Sequence, residues 1–276
     1  MEVAMIDDNI VPIGEAVVSA NDRGLYFGDG VYEVVLLCNG ELYQFDKHMD
    51  RLVDSLRKIG LLDSVDLDVI GERIDRAVSH SKLENAAVYF HITRGSAARS
   101  HDYDENIQPG FLLTIREKTL EFPREVTAIT CPDLRWKRCD IKSLNLLPNI
   151  MAKHAATKAG AYGAILVDDK GLITEASSAS VLLIKNKTLQ TPPLTANILP
   201  SITRAMLLDR AEQAGLERIE ESFTLQQAID ADELILASTT NPVLAVTHLD
   251  STQIGTGGIG EYTKQLAGQL KKEMSV

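Results

Sequence analysis

Cysteine is scarce in this chain. Three residues, Cys38, Cys131 and Cys139, are too few and too scattered for a disulfide framework, and no Cys-x-x-Cys or Cys/His cluster has the spacing of a zinc site. No window approaches the apolar length of a membrane-spanning helix. Positive charge is in the minority. The 28 Lys+Arg against 39 Asp+Glu give a net charge of -11, with no basic run dense enough to hold a phosphodiester backbone, so nucleic acid is not an expected partner. The opening MEVAMIDDNIVPIG has two aspartates and no basic segment ahead of an apolar stretch, unlike a secretory signal. Repeats and low-complexity tails are missing too. These absences lead to an expectation of a reduced, cytoplasmic, globular protein with no membrane partner.

What is present is ample material for a core: 276 residues, 45% of them hydrophobic, enough for one large or two ordinary domains. VYEVVLLC and ELYQF flank Asn39-Gly40, a hairpin signal. DKHMDRLVDSLRKIG reads as a helix with Asp46 as its N-cap. Its apolar face is Met49, Leu52, Val53, Leu56 and Ile59, and Gly60 stops it. A second helix is expected over Leu67 to Ser81, then paired strands AAVYFHITRG and GFLLTIRE. KTLEFPREV reads as a boundary: an α+β domain over 1–118, a linker over 119–124 and a larger domain over 125–276. In the latter, strand VTAITCP precedes a helix beginning near Pro148, hairpins over Asp169–Gly171 and over KNK, a helix ended by Gly215, strand ELILAST and a last helix, GEYTKQLAGQLKKEM. Fold class is therefore α/β (α+β) with two domains.

Several residues are candidates for chemistry. In RCDIKSLNLL, Lys142 sits among apolar neighbours, where a buried ammonium without a partner is costly. It either snorkels to solvent or serves as an amine that forms a Schiff base with a carbonyl. Glu175, in LITEASSAS, is either a strand-end glutamate facing water or a carboxylate that pairs with a protonated ring nitrogen, the small residues after it admitting a flat ligand. Ser201, Ile202 and Thr203 open a helix, and Ser238, Thr239 and Thr240 end an apolar strand; both are places that suit an anion. Arg51 lies on the polar side of the first helix, where a plain surface charge is the alternative. Arg99 and His101, two apart in SAARSH, point the same way if the segment is extended and make a sensible pair for a carboxylate. The other histidines show no ligand-like grouping.

Taken in chain order, DRGLYFGDGVYEVV, FDKHMDRL, RSH, RWKRCDIKSLNLL, ITEASSAS, ILPSITR and ELILASTT resemble the motifs of the class IV, or fold type IV, pyridoxal-phosphate aminotransferases, and within them the branch acting on D-amino acids. The resemblance spans nearly the whole chain. It implies a smaller N-terminal α+β domain and a larger, β-barrel-like C-terminal domain with helices that binds pyridoxal 5'-phosphate. Lys142 matches the lysine that holds the cofactor and shuttles a proton. Glu175 matches the partner of the pyridine nitrogen, and Arg51, Ile202, Thr203 and Thr239 match the phosphate-binding positions. Tyr32, Arg99 and His101 match the residues that take the substrate α-carboxylate. The reaction implied is ping-pong transamination between a D-amino acid and a 2-oxo acid by a homodimer. The Arg-x-His pair separates this branch from branched-chain L-amino-acid aminotransferases and aminodeoxychorismate lyases of the same fold. A catalytically silent relative that binds a ligand is the non-enzymatic alternative. Several positions depart from the family pattern, chiefly Gly163 in place of Glu, Ser180 in place of Asn, and Ser201 in place of Gly, with Ala176 and Ala179 in place of Gly and Ser.

Overall fold

A computed structural model describes residues 1–275, which form two compact units. Met1–Thr119 and Ile141–Asn145 make the first; Leu120–Asp140 and the chain from Leu146 onward make the second. The five residues 141–145 thus leave the contiguous division expected from sequence. Their backbone hydrogen-bonds to a strand of the first unit, and that pairing outweighs chain continuity.

The first unit is a six-stranded sheet with helices. Its strands are β1 (Val3–Ile6), β2 (Asn9–Pro12), β3 (Gly30–Cys38), β4 (Glu41–Leu42), β5 (Ala86–Thr93) and β6 (Gly110–Glu117), in the order β2-β1-β6-β5-β3-β4. Asn39 and Gly40 both take positive φ, as a tight turn between β3 and β4 requires. The helices are α1 (Arg23–Phe27), α2 (Phe45–Lys58) and α3 (Leu67–Ser81). Asp66 caps α3, accepting from the Asp68 and Val69 amides. α2 begins one residue before the expected cap, so Asp46 sits in its first turn, where its charge favours the helix dipole. Leu52 and Leu56 of α2 and Ile70 and Ile74 of α3 pack with Val35, Val88, Phe90 and Leu113 of the sheet.

The second unit is built on β7 (Arg124–Pro132), β8 (Gly163–Val167), β9 (Ile173–Ala176), β10 (Ser180–Lys185), β11 (Thr188–Thr191), β12 (Glu217–Glu220), β13 (Glu233–Ser238), β14 (Asn241–Leu249) and β15 (Thr252–Gln253). The order is β12-β11-β10-β13-β14-β7-β8-β9, with β15 beside β14, and the sheet curls into a half-barrel. β7 runs parallel to both neighbours, β14 and β8, and β11 runs parallel to β12; the other pairs are antiparallel. α4 (Leu147–Lys158), with Pro148 in its first turn, packs on β8; α5 (Ile202–Asp209) packs on β13; α6 (Leu225–Ile229) and α7 (Glu261–Met274) complete the unit. The helix expected to run to Gly215 ends instead at Asp209, and a 3-10 turn over Glu212–Ala214 precedes Gly215, which takes positive φ. The core holds Val126, Ile165, Val181, Phe223, Leu236 and Val246. Among the described residues no helix is long and apolar enough to cross a membrane, and no group of three His, Cys, Asp or Glu is arranged to hold a metal.

Candidate active site

In the first unit, backbone pairing sets the position of Lys142. Residues 141–145 run antiparallel to the start of β3. The Tyr32 amide donates to the Lys142 carbonyl at 2.9 Å, the Leu144 amide donates to the Gly30 carbonyl at 3.1 Å, and Val31 pairs with Ser143. The Lys142 amide donates to Ser55 Oγ of α2 at 3.2 Å. Ile141 and Ser143 are buried, and in an extended segment that turns the residue between them to the other face. Lys142 is accordingly half-buried, with Nζ 4.1 Å from the centroid of the Tyr32 ring. No other described residue hydrogen-bonds this amine.

Within electrostatic reach of Lys142 lies a buried charge cluster. Glu33 is fully buried on β3. Arg51 Nε donates to its Oε1 at 2.7 Å, Arg51 Nη2 to its Oε2 at 2.8 Å, and His48 Nδ1 lies 2.8 Å from Oε2. Burial pushes the Glu33 carboxyl up, but the charge and hydrogen bonds of Arg51, with help from His48 and Lys142, overcome it and hold the group at about 2. Burial pushes His48 down against the pull of Glu33, which favours the neutral imidazole. Arg51 is therefore no surface charge: it is 8% exposed, and Glu33 fixes the plane of its guanidinium. Sequence reasoning passed over Glu33 and His48. The available signals were a lone acid inside GVYEVVLLC and a polar row, His48, Arg51 and Ser55, at helical spacing.

Tyr32 alternates with Glu33 on β3 and points to the other face. Its ring centroid is 5.7 Å from that of Tyr89, whose hydroxyl lies 2.9 Å from His91 Nδ1. Burial, and then the neighbouring Tyr32, push the Tyr89 phenol up to about 12. Arg99 and His101 stand on an exposed loop, each against Phe27: the guanidinium is 5.2 Å from the ring centroid and the imidazole 5.5 Å. No contact among the described residues joins either of them to Tyr32 or Lys142.

In the second unit, Glu175 is buried on β9 rather than facing water. Arg135 Nη1 donates to its Oε2. The same guanidinium forks onto Asp133, with Nε to Oδ1 at 2.9 Å and Nη2 to Oδ2 at 2.8 Å, and reaches the Asn197 carbonyl at 3.1 Å. Thr174 Oγ1 donates to Asp133 Oδ2 at 2.6 Å. Burial pushes the Glu175 carboxyl up; the charge and hydrogen bond of Arg135 and the Leu199 amide oppose it, and the net direction is upward. At Asp133 burial is outweighed by Arg135 and Thr174, so that carboxyl is held down. Asp133 and Arg135 were not singled out in the sequence, since Arg135 meets Glu175 only across forty residues of chain.

Ser201 caps α5, accepting from the Arg204 amide at 3.2 Å. Its φ of -71° and ψ of 126° are ordinary for any residue, so serine replaces glycine here without strain and adds a cap. Ile202 and Thr203 follow with first-turn amides that have no partner within the helix. Thr239 follows β13, on which α5 packs. The hydroxyls of Thr203 and Thr239 hydrogen-bond no other described residue. At two other departures, Ser180 Oγ is buried without a partner among the described residues, and a Cβ at Gly163 would meet nothing closer than Leu236 Cδ1 at 3.8 Å. A larger side chain at position 163 has room to begin.

Residues 30–249 match the family model for amino-transferase class IV. The chain is 37% identical over 273 residues to the D-alanine aminotransferase of Bacillus licheniformis, covering 98% of this chain and 96% of the relative. Its fold matches the branched-chain amino acid aminotransferase of Escherichia coli with a TM-score of 0.89, at 21% identity, over 98% of this chain and 93% of that one. It also matches a branched-chain aminotransferase from the thermophilic archaeon Thermoproteus uzoniensis with norvaline, with a TM-score of 0.86, at 22% identity, over 99% and 94% of the two chains. A further branched-chain amino acid aminotransferase of this fold, with a TM-score of 0.87 at 20% identity over 99% and 94% of the chains, is complexed with N-(5'-phosphopyridoxyl)-L-glutamate. The chain belongs to the class IV aminotransferases.

Proposed function

We propose that the protein transfers the amino group of a D-amino acid, such as D-alanine or D-glutamate, to a 2-oxo acid such as 2-oxoglutarate or pyruvate, with pyridoxal 5'-phosphate as cofactor. The observation that carries this reading is the Asp133–Arg135–Glu175 cluster. A buried carboxylate, Glu175, and a half-buried one, Asp133, share one guanidinium, so with both ionised a single further cation would balance the cluster. A protonated ring nitrogen is such a cation, and beside Glu175 it would offset the burial that pushes this carboxyl up and keep it ionised. The half-buried Lys142 amine, without a hydrogen-bond partner among the described residues, fits the second requirement, and the α5 amides with the Thr203 and Thr239 hydroxyls fit a phosphate.

Glu175 would hold the ring nitrogen. Arg51, Ile202 and Thr203, with Thr239, would hold the phosphate, Ile202 through its backbone N–H. When bound, the cofactor supplies an aldehyde that takes up an amine and a ring that draws electrons away from the substrate α-carbon. Lys142 Nζ would hold the cofactor covalently and would take the substrate α-proton and return it. The Tyr32 ring, 4.1 Å away, restrains where that amine points. Tyr32, Arg99 and His101 would hold the α-carboxylate, whose docking side sets stereochemistry. The 37% identity to a D-alanine aminotransferase supports the D-enantiomer. Exposed Leu147, Ile150 and Met151 on one side of α4 support a homodimer, and the three free thiols support a reducing, cytoplasmic setting.

The test is a half-reaction of the purified holoenzyme with a panel of D- and L-amino acids, followed by the cofactor's visible absorbance. D-amino acids are expected to shift the spectrum and L-leucine to leave it unchanged. A Lys142→Ala variant is expected to lose both the yellow absorbance and transamination; turnover preserved in it would remove the assignment. A branched-chain L-specific enzyme would show the reverse panel, and a lyase would release pyruvate without an amino acceptor.

A further inference from the structure

DRGLYFGDG, the stretch ahead of β3, carries none of the roles assigned so far, yet its arginine is among the most buried charges of the first unit. Arg23 is 3% exposed. Its guanidinium is spread over the backbone of one loop: Nη1 donates to the Ser100 carbonyl at 2.7 Å and the Asp102 carbonyl at 3.4 Å, and Nη2 donates to the His101 carbonyl at 3.3 Å. Nε donates to Asp29 Oδ2 at 2.8 Å. Asp29 is held from its other side by Arg94, whose Nε lies 3.1 and 3.0 Å from the two carboxylate oxygens, and Arg94 Nη2 donates to the Ile59 carbonyl at 2.8 Å. The Tyr103 ring closes over both, 3.9 Å from the Arg94 guanidinium and 5.4 Å from that of Arg23.

The start of the loop is tied to the same stretch. The Arg23 amide donates to the Gly95 carbonyl at 2.9 Å, the Ala97 amide to the Asn21 carbonyl at 3.1 Å, and Asp22 pairs with Ser96. Residues 99–102 have no strand partner, so their conformation rests on such contacts. The Phe27 ring lies against all three side chains: Arg23 is 5.0 Å from its centroid, and Arg99 and His101 are 5.2 and 5.5 Å from it.

We propose that Arg23 is a positioning residue for substrate recognition: by chelating the carbonyls of residues 100–102 it holds Arg99 and His101 side by side for a carboxylate. The inference rests on the reading of Arg99 and His101 as the carboxylate-binding pair. Arg23 itself touches no substrate. A lysine in its place keeps a charge for Asp29 but lacks the fork that spans three carbonyls, so it restores the loop only in part.

The experiment compares Arg23→Met, Arg23→Lys, Arg99→Ala and the Arg23→Met/Arg99→Ala double variant as holoenzymes. KM and kcat are measured for D-alanine and 2-oxoglutarate, together with amide hydrogen exchange over residues 96–106. Arg23→Met is expected to raise both KM values by about tenfold or more, with a much smaller change in kcat and in the cofactor's absorbance, and to speed exchange in the loop. Arg23→Lys should fall between it and the parent, and it stands in should the methionine variant not fold. In the Arg99→Ala background, Arg23→Met should raise KM little further, because both changes act on one interaction. A KM unchanged in Arg23→Met and Arg23→Lys but raised in Arg99→Ala would overturn the positioning role alone. A KM unchanged in Arg99→Ala would overturn the carboxylate reading, and this inference with it.

Discussion

Glu33 and Glu175 are both buried carboxylates facing an arginine, yet one is pushed down and the other up. Glu33 has Arg51 in a two-pronged contact, with His48 and Lys142 adding to it, so attraction outweighs desolvation. Glu175 shares Arg135 with Asp133 and is left with less than a full counter-charge, so desolvation wins. A group in the second condition is made for one more cation. Glu175→Gln removes the acceptor but leaves Arg135 paired with Asp133, so the fold and a bound cofactor should survive. The expected loss is in kcat, on the order of a hundredfold or more. Absorbance retained at the parent level with kcat unchanged would show that Glu175 does not serve the ring nitrogen.

At the scale of elements, α2 does two tasks. Leu52 and Leu56 pack it on the sheet, and His48, Arg51 and Ser55 on the same buried side carry polar contacts to Glu33 and to the Lys142 backbone. The apolar pattern located this helix well, because hydrophobic burial sets its period. The same pattern misassigned Arg51, because a helical wheel ranks residues by polarity and has no knowledge of a carboxylate on a neighbouring strand. Glu33→Ala would leave a guanidinium buried without its partner, at a cost of about 3–5 kcal/mol. Glu33→Gln, which keeps the shape and one acceptor, should cost less. Thermal unfolding of the two variants measures the difference; equal and small losses would mean that the cluster does not contribute to stability.

For the molecule as a whole, the same groups set a pH dependence. Burial depresses His48 and His91 below the usual 6.5, so the unfolded chain takes up protons there that the folded one refuses. Stability is full above that pH and declines as pH falls below it. Glu33, held at about 2 against an ordinary 4.5, adds stability that is present above 4.5 and is lost as pH falls toward 2. Glu175 acts in the opposite sense, because its raised value favours the folded state more as pH falls. Unfolding midpoints measured from pH 8 to pH 3 should therefore fall in two stages, and His48→Gln should flatten the first. A variant whose profile runs parallel to the parent's throughout would remove His48 from this account.

Local chemistry, by itself, determined the elements and much of the reading of the site. The Asn39-Gly40 turn, the span of α3, the Ser201 start of α5 and the hairpin between β8 and β9 follow from preferences and hydrogen bonding within a few residues, so they were legible in the sequence alone. Lys142 stood out as a charge in apolar company, and Glu175 as an acid ahead of a run of small residues. Only the tertiary structure decided what those charges meet. Residues 141–145 join a strand more than a hundred residues earlier, Arg135 reaches across forty residues to Glu175, and Arg23 across seventy-seven to Ser100. Each contact depends on two distant segments arriving together, and no local preference in either one encodes the other's address.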